Sequence, residues 1–237
     1  MSDHPAAERS APAPYHRQSL PSGRPHRALS ELVTMDSARP EADGWSWLTK
    51  YMSNGFCLTF AQGCTESDML EAYGINLEDA ELMTRTQAGS EFDNYYPIIR
   101  VGRVDDWAFS FEEGTCTGSQ EDILLRAAPN SDSICLFRTA TGLSWLTYAS
   151  IGRRLVDIDL LAPNRRQGES PDILTDDMRT VGLLPTTADG ATASAEPELA
   201  ACSLLTARFA IRLDADAAEG PLLTAEMTPA DTDWLDG

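Results

Sequence analysis

Period-two alternation dominates the middle of the chain. In "IIRVGRVDDWAFSFEEG", Ile99, Val101 and Arg103 alternate with Ile98, Arg100 and Gly102. Beyond Asp105-Asp106, Trp107, Phe109 and Phe111 share one face, while Ala108, Ser110 and Glu112 share the other. Two alternating runs around a polar turn predict a β-hairpin, with its aromatic face in the core and its acids in water. A second hairpin is predicted from "LSWLTYAS" and "RLVDIDLL" around Ile151-Gly152, where Val156, Ile158 and Leu160 alternate with Leu155, Asp157 and Asp159. "FCLTFAQG" and "SICLFRT" read as further strands.

Helical spacing takes over elsewhere. "WSWLTKYMSNG" places Trp47, Leu48, Tyr51 and Met52 on one face, with Gly55 as a C-terminal cap. "TESDMLEAYG" has Thr65 as N-cap, Asp68 three residues on, and Gly74 as terminator. "NLEDAELMTRTQ", "SQEDILLRAA" behind Ser119, and "ILTDDMRTVGLLP" each predict a helix. The last helix starts at Glu196-Pro197-Glu198 and carries Cys202, Leu205, Phe209 and Leu213 at helical spacing. The expected fold class is α+β: an antiparallel sheet of about five short strands packed by five or six helices.

Residues 1–40 are rich in Pro, Ala, Ser and Arg and show no period, so they predict a disordered tail. Met35, just before "DSARPEADGWSWL", offers an alternative start that would make the first 34 residues extraneous. Residues 41–237 are expected to form a single domain, with a low-complexity linker, "TTADGATASAEPE", at 186–198.

Charge narrows the partners. The formal net charge is −19, yet residues 1–40 hold Arg9, Arg17, Arg24, Arg27 and Arg39 against Asp3, Glu8, Glu31 and Asp36, so the remainder carries −20. A body this acidic repels phosphate backbones and anionic lipid surfaces, so neither nucleic acid nor membrane is an expected partner. Five scattered cysteines (Cys57, Cys64, Cys116, Cys135, Cys202) without a CxxC pair read as reduced thiols. No run approaches the roughly 18 apolar residues of a membrane span. The N-terminus lacks the apolar stretch of a secretory signal. The expectation is a cytoplasmic protein.

All three histidines, His4, His16 and His26, fall in the tail. A body without histidine has no Ser–His or Cys–His couple and no ordinary zinc site. P-loop, GxGxxG and GxSxG signatures are missing too. No catalytic constellation, metal site or cofactor is expected. What remains is carboxylate chemistry. Asp157-Ile158-Asp159 would present two carboxylates on one strand face, as metal-dependent transferases do, or simply a wet acidic edge. Arg138, Arg153, Arg154, Arg165 and Arg166 could form an anion pocket or pair with neighbouring acids. Trp107 and Trp145 could stack a ligand beside Arg138 or build the core.

The segments "LTFAQGCTESDML", "RVGRVDDWAFSFEEG", "SICLFRTATGLSWLTYA" and "RLVDIDLLAPNRRQG" together resemble a domain family of unknown function common in streptomycetes and other actinobacteria. The resemblance runs over roughly residues 45–215 and implies a cytoplasmic α+β domain, with no catalytic residue to carry over.

Charge and missing catalytic groups lead to the first functional expectation: a protein-interaction module of the immunity or antitoxin type with a basic partner. A small-molecule or peptide sensor is the second, and a histidine-free metal-dependent enzyme using Asp157 and Asp159 the third. Candidate contact residues are Arg138, Trp145, Asp157, Asp159, Arg165 and Arg166. The hairpin reading has its own test. Phe109→Ala should cost about 3–5 kcal/mol in chemical denaturation if the ring is in the core, whereas Asp105→Asn and Asp106→Asn should leave folding intact. A near-neutral Phe109→Ala would contradict the placement.

Overall fold

The computed structural model describes residues 44–92, 97–185 and 194–227. Trp47, Leu48 and Tyr51 are buried by a 3-10 turn, Ser46–Tyr51. The chain then enters β1 (Gly55–Gln62) through Gly55. Its φ is +84°, and a Cβ there would lie 2.7 Å from the Arg138 carbonyl oxygen, so only glycine fits. α1 (Glu66–Ala72) opens with the expected reciprocal cap: Asp68 N donates to Thr65 Oγ1 at 3.2 Å, and Thr65 N donates to Asp68 Oδ2 at 2.8 Å.

"NLEDAELMTRTQ" is not one helix. It divides into a 3-10 turn Leu77–Asp79, strand β2 (Glu81–Met83) and helix α2 (Arg85–Glu91). The break has a local cause: Thr84 and Gln87 form a second capping box, which starts a new helix there. The two expected hairpins form, as β3 (Ile98–Val104) with β4 (Trp107–Glu113), and later as β6 with β7. Between them come α3 (Glu121–Ala127) and β5 (Asp132–Thr139), then β6 (Ser144–Ser150), β7 (Arg153–Asp159) and β8 (Arg166–Gln167). α4 (Thr175–Thr180), α5 (Pro197–Phe209), α6 (Ala215–Glu219) and β9 (Leu222–Glu226) complete the described elements.

The strands make one antiparallel sheet in the order β2-β9-β3-β4-β1-β5-β6-β7-β8. Nine strands replace the expected five or so. The additional ones include β2, of three residues, β8, of two, and β9, which inserts between β2 and β3 from the far end of the chain. The tail (1–40) lies outside the described residues, as do positions 186–193 of the linker. Among the described residues no helix is long and apolar enough to cross a membrane.

Register sorts the side chains into two layers. Phe56, Leu58 and Phe60 of β1 join Trp107, Phe109 and Phe111 of β4, Ile134 and Leu136 of β5, and Val156 and Ile158 of β7. The N-terminal 3-10 turn, α4, α5 and α6 seal this layer with Trp45, Met178, Leu204, Leu205 and Ala218. Phe109 is fully buried. Gly102, opposite it, has no room for a side chain, since a Cβ would come within 3.0 Å of the Phe109 ring and 2.5 Å of Leu222. The second layer is narrower. Cys57, Thr59 and Ala61, with Ala108, Ser110 and Glu112, are small or polar and are covered by α1 and α3.

Arg100 points into the aromatic layer and is only 1% exposed. Its Nη1 donates to Ala218 O at 2.9 Å, and Nη2 donates to Gly220 O at 2.6 Å and Met83 O at 3.3 Å. One guanidinium therefore ties β2, α6 and the entry to β9 onto β3. Arg100→Met should lower stability by about 2–3 kcal/mol, because buried carbonyls lose their donors. Urea midpoints would read it, and a loss below about 0.5 kcal/mol would show that the clamp contributes nothing.

Candidate functional site

The polar chemistry of this chain concentrates on the second sheet layer and its margins. Glu112 was expected in water; it is fully buried. Its Oε1 accepts from Tyr73 Oη at 2.9 Å and Gly118 N at 2.8 Å, and its Oε2 accepts from Thr115 Oγ1 and Thr117 N, both at 2.8 Å. The Tyr73 hydroxyl accepts in turn from Ser110 Oγ at 2.8 Å. Gly118 makes the nest possible, since a Cβ there would strike Thr59, Tyr73 and Glu112. A carboxylate with four donors is a structural anchor, and none of its lone pairs is left facing a substrate. Beside it, Cys57 Sγ lies 3.5 Å from Cys135 Sγ, both buried.

The sequence-derived candidates separate. Asp157 and Asp159 do share a strand face, but they hold different partners. Asp157, 2% exposed, accepts from Thr147 Oγ1 at 2.7 Å and from Arg154 Nε at 2.8 Å. Arg154 extends to Glu121 at 3.4 Å. Asp159 is half-buried, and its Oδ1 accepts from the backbone N–H groups of Leu161 at 3.0 Å and Ala162 at 3.3 Å. Trp145 stands directly opposite Asp159 and next to Phe137 across the other strand pairing.

Arg138 sits on the other face. It donates to Met52 O at 3.1 Å and pairs with the buried Glu198 at 2.5 Å. Trp107 is on that face as well, so Trp107, Arg138 and Trp145 do not line one pocket. Arg166 is tied to Pro163 O, Pro171 O and Asp172, and Arg153 pairs with Glu169. Arg165 is exposed and makes no ion pair among the described residues. No single anion pocket gathers these arginines.

Among the described residues no three His, Cys, Asp or Glu side chains come together in a metal-holding group. An open cavity of about 620 Å³ lies between α1 and α3, lined by Cys64, Asp68, Glu71, Arg126, Asn130 and Ser131. Its cation is engaged: Arg126 donates to Ala72 O at 2.9 Å and pairs with Asp122 at 3.1 Å.

One protein-family model matches residues 39–213, which takes in every described element before α6. The chain belongs to DUF6461, a family of unknown function. No curated protein and no solved structure matches it. The sequence of this DUF6461 chain does not reveal the buried, multiply hydrogen-bonded roles of Glu112, Tyr73 and Arg100: Glu112 reads as a solvated acid, and Tyr73 and Arg100 as ordinary positions of a helix and a strand. The one signal available for Glu112 was "TCTGS", a glycine-bearing turn just downstream whose N–H groups needed an acceptor.

Burial pushes the Cys57 thiol and the Tyr73 phenol well above their ordinary values of 9.0 and 10.0. The folded state thus holds these protons more tightly than the unfolded chain does. Their stabilisation is full below about pH 9 and is lost as the pH rises further. Urea midpoints should be level from pH 7 to 8.5 and fall above 9, with a shallower fall in Cys57→Ala and Tyr73→Phe. A midpoint constant to pH 10.5 would contradict the burial of both groups.

Proposed function

We propose that this DUF6461 chain is an acidic protein-binding module of the immunity or antitoxin type, acting in the cytoplasm of an actinobacterial cell on a basic partner. One observation carries the reading: its negative charge is uncompensated along one margin. Residues 65–84, spanning α1, the Leu77–Asp79 turn and β2, contain Glu66, Asp68, Glu71, Glu78, Asp79 and Glu81 and no lysine or arginine. None of these six enters an ion pair among the described residues. Most cations elsewhere already meet a carboxylate: Lys50 with Glu219, Arg85 with Glu113, Arg138 with Glu198, Arg179 with Asp176.

Leu77 and Leu82, 50% and 67% exposed, stand among those acids. Acids without counter-ions around exposed leucines suit a partner that brings cations and apolar surface together. A binding reading is favoured over a catalytic one because the buried carboxylates among the described residues, Glu112, Asp157 and Glu198, are already engaged by donors.

Affinity purification of the tagged chain from its source cell, with mass spectrometry, tests this. The expected result is a stoichiometric partner of high pI, released by roughly 0.5 M salt and weakened by the triple change Glu78→Gln, Asp79→Asn, Glu81→Gln. A chain that elutes alone at low salt, or a partner indifferent to both salt and the triple change, would sink the proposal.

A further inference from the structure

The geometry points to a second feature of the same interaction: Trp145 and Asp159, with Phe137 and Leu143, form the anchor for an arginine- or lysine-bearing segment of the partner. The inference rests on the basic-partner reading above and says where the cation is held.

Trp145 is the exception among the tryptophans of the described residues. Trp45, Trp47 and Trp107 are 0–4% exposed, whereas Trp145 on β6 is only half-buried. Leu143, 57% exposed, lies two residues before it in the chain, whereas Leu161, 59% exposed, lines a cavity with Arg138 and Glu198 on the opposite face. Leu143 begins the approach to β6, and Leu161 follows Asp159 in a turn that Asp159 itself caps. Phe137, directly opposite Trp145 on β5, extends the apolar surface. The cluster around Leu124 of α3 packs against Phe137 and leaves it, like Trp145, half-buried.

Asp159 gives the patch its specificity. Two backbone N–H groups hold Oδ1, which fixes the carboxylate in orientation. Its Oδ2 has no partner among the described residues, and Asp159 joins no ion pair there. Arg154 pairs with Asp157 and Arg166 with Asp172, and the exposed Arg165, whose carbonyl accepts from Asp159 N at 3.5 Å, makes no ion pair with Asp159. An indole across the strand pair from an oriented, unpaired carboxylate is a place where a cation gains both ion pairing and cation–π attraction. The exposed Leu143 excludes water beside it, as neighbours of an interface anchor do. The patch lies at the opposite end of the sheet from the acidic margin, so the two contribute separately: the field of the whole body raises the encounter rate, and the anchor slows release.

The test titrates the full chain with the peptide acetyl-(Gly-Arg)4-amide at low salt. Calorimetry reads total binding, and the Trp145 indole N–H resonance, assigned with Trp145→Phe, reads the site. A saturable shift of that resonance is expected. Asp159→Asn should weaken the site about three- to tenfold, while the Glu78, Asp79, Glu81 triple change should leave it within about twofold. Both variants keep the backbone caps and should melt as the parent does. If the peptide binds but the Trp145 signal stays still, or Asp159→Asn changes nothing, the anchor is overturned and the acidic-margin reading stands. If calorimetry detects no binding at all, both fall.

Discussion

β1 is buried on both faces along almost its whole length, and the rest of the molecule is arranged to satisfy it. A strand in that position cannot alternate apolar with exposed polar; it must alternate two kinds of buried residue. Here it alternates Phe56, Leu58 and Phe60 with Cys57, Thr59 and Ala61. β4 answers in register, Phe109 opposite Phe60 and Phe111 opposite Leu58 on one side, Ala108 and Ser110 on the other. The side with large rings needs a thick cover, which the N-terminal 3-10 turn and α4–α6 provide. The side with small residues lets α1 and α3 lie close, and that close approach seals Tyr73 and Glu112 away from water.

How far this was legible in the sequence follows from the same constraint. The hairpins, the Thr65–Asp68 cap and the aromatic face are local, and their periods could be read directly. Glu112 could not. Ala108, Ser110 and Glu112 make a strand face that looks wet, and only the later α3 segment, arriving through the Thr117–Ser119 turn, covers it. Arg100 fails for the mirror reason: it sits between Ile99 and Val101, and its acceptors are carbonyls of residues 83, 218 and 220. β2 and β9 pair across a separation of about 140 residues, so neither three nor five residues of strand stood out from the surrounding helix and turn signals. Of the candidate contact residues, the pattern put Asp157 and Asp159 on one face correctly, but it could not say that Arg154 and Thr147 would take up the first.

The redistribution of charge links fold to function. The body carries a large carboxylate excess, and most of its described cations are used inside the molecule, on Glu113, Glu198, Asp157 or, for Arg100, on backbone carbonyls. Each internal pairing removes a cation from the outer field. Repulsion among the leftover acids costs stability, and more so where they are crowded, as in residues 65–84. Folding does not require that crowding: the α1 cap uses Asp68 alone, and Glu71, Glu78, Asp79 and Glu81 are exposed without partners in the ion-pair network. A crowded acidic margin with exposed leucines is costly for the isolated chain and is relieved when a cationic surface covers it. The same argument applies at Asp159, where backbone N–H groups hold one oxygen and leave the other without a partner among the described residues, across the strand pair from Trp145. In both places the isolated fold leaves an electrostatic demand unmet, and a basic partner is the simplest chemistry that meets both.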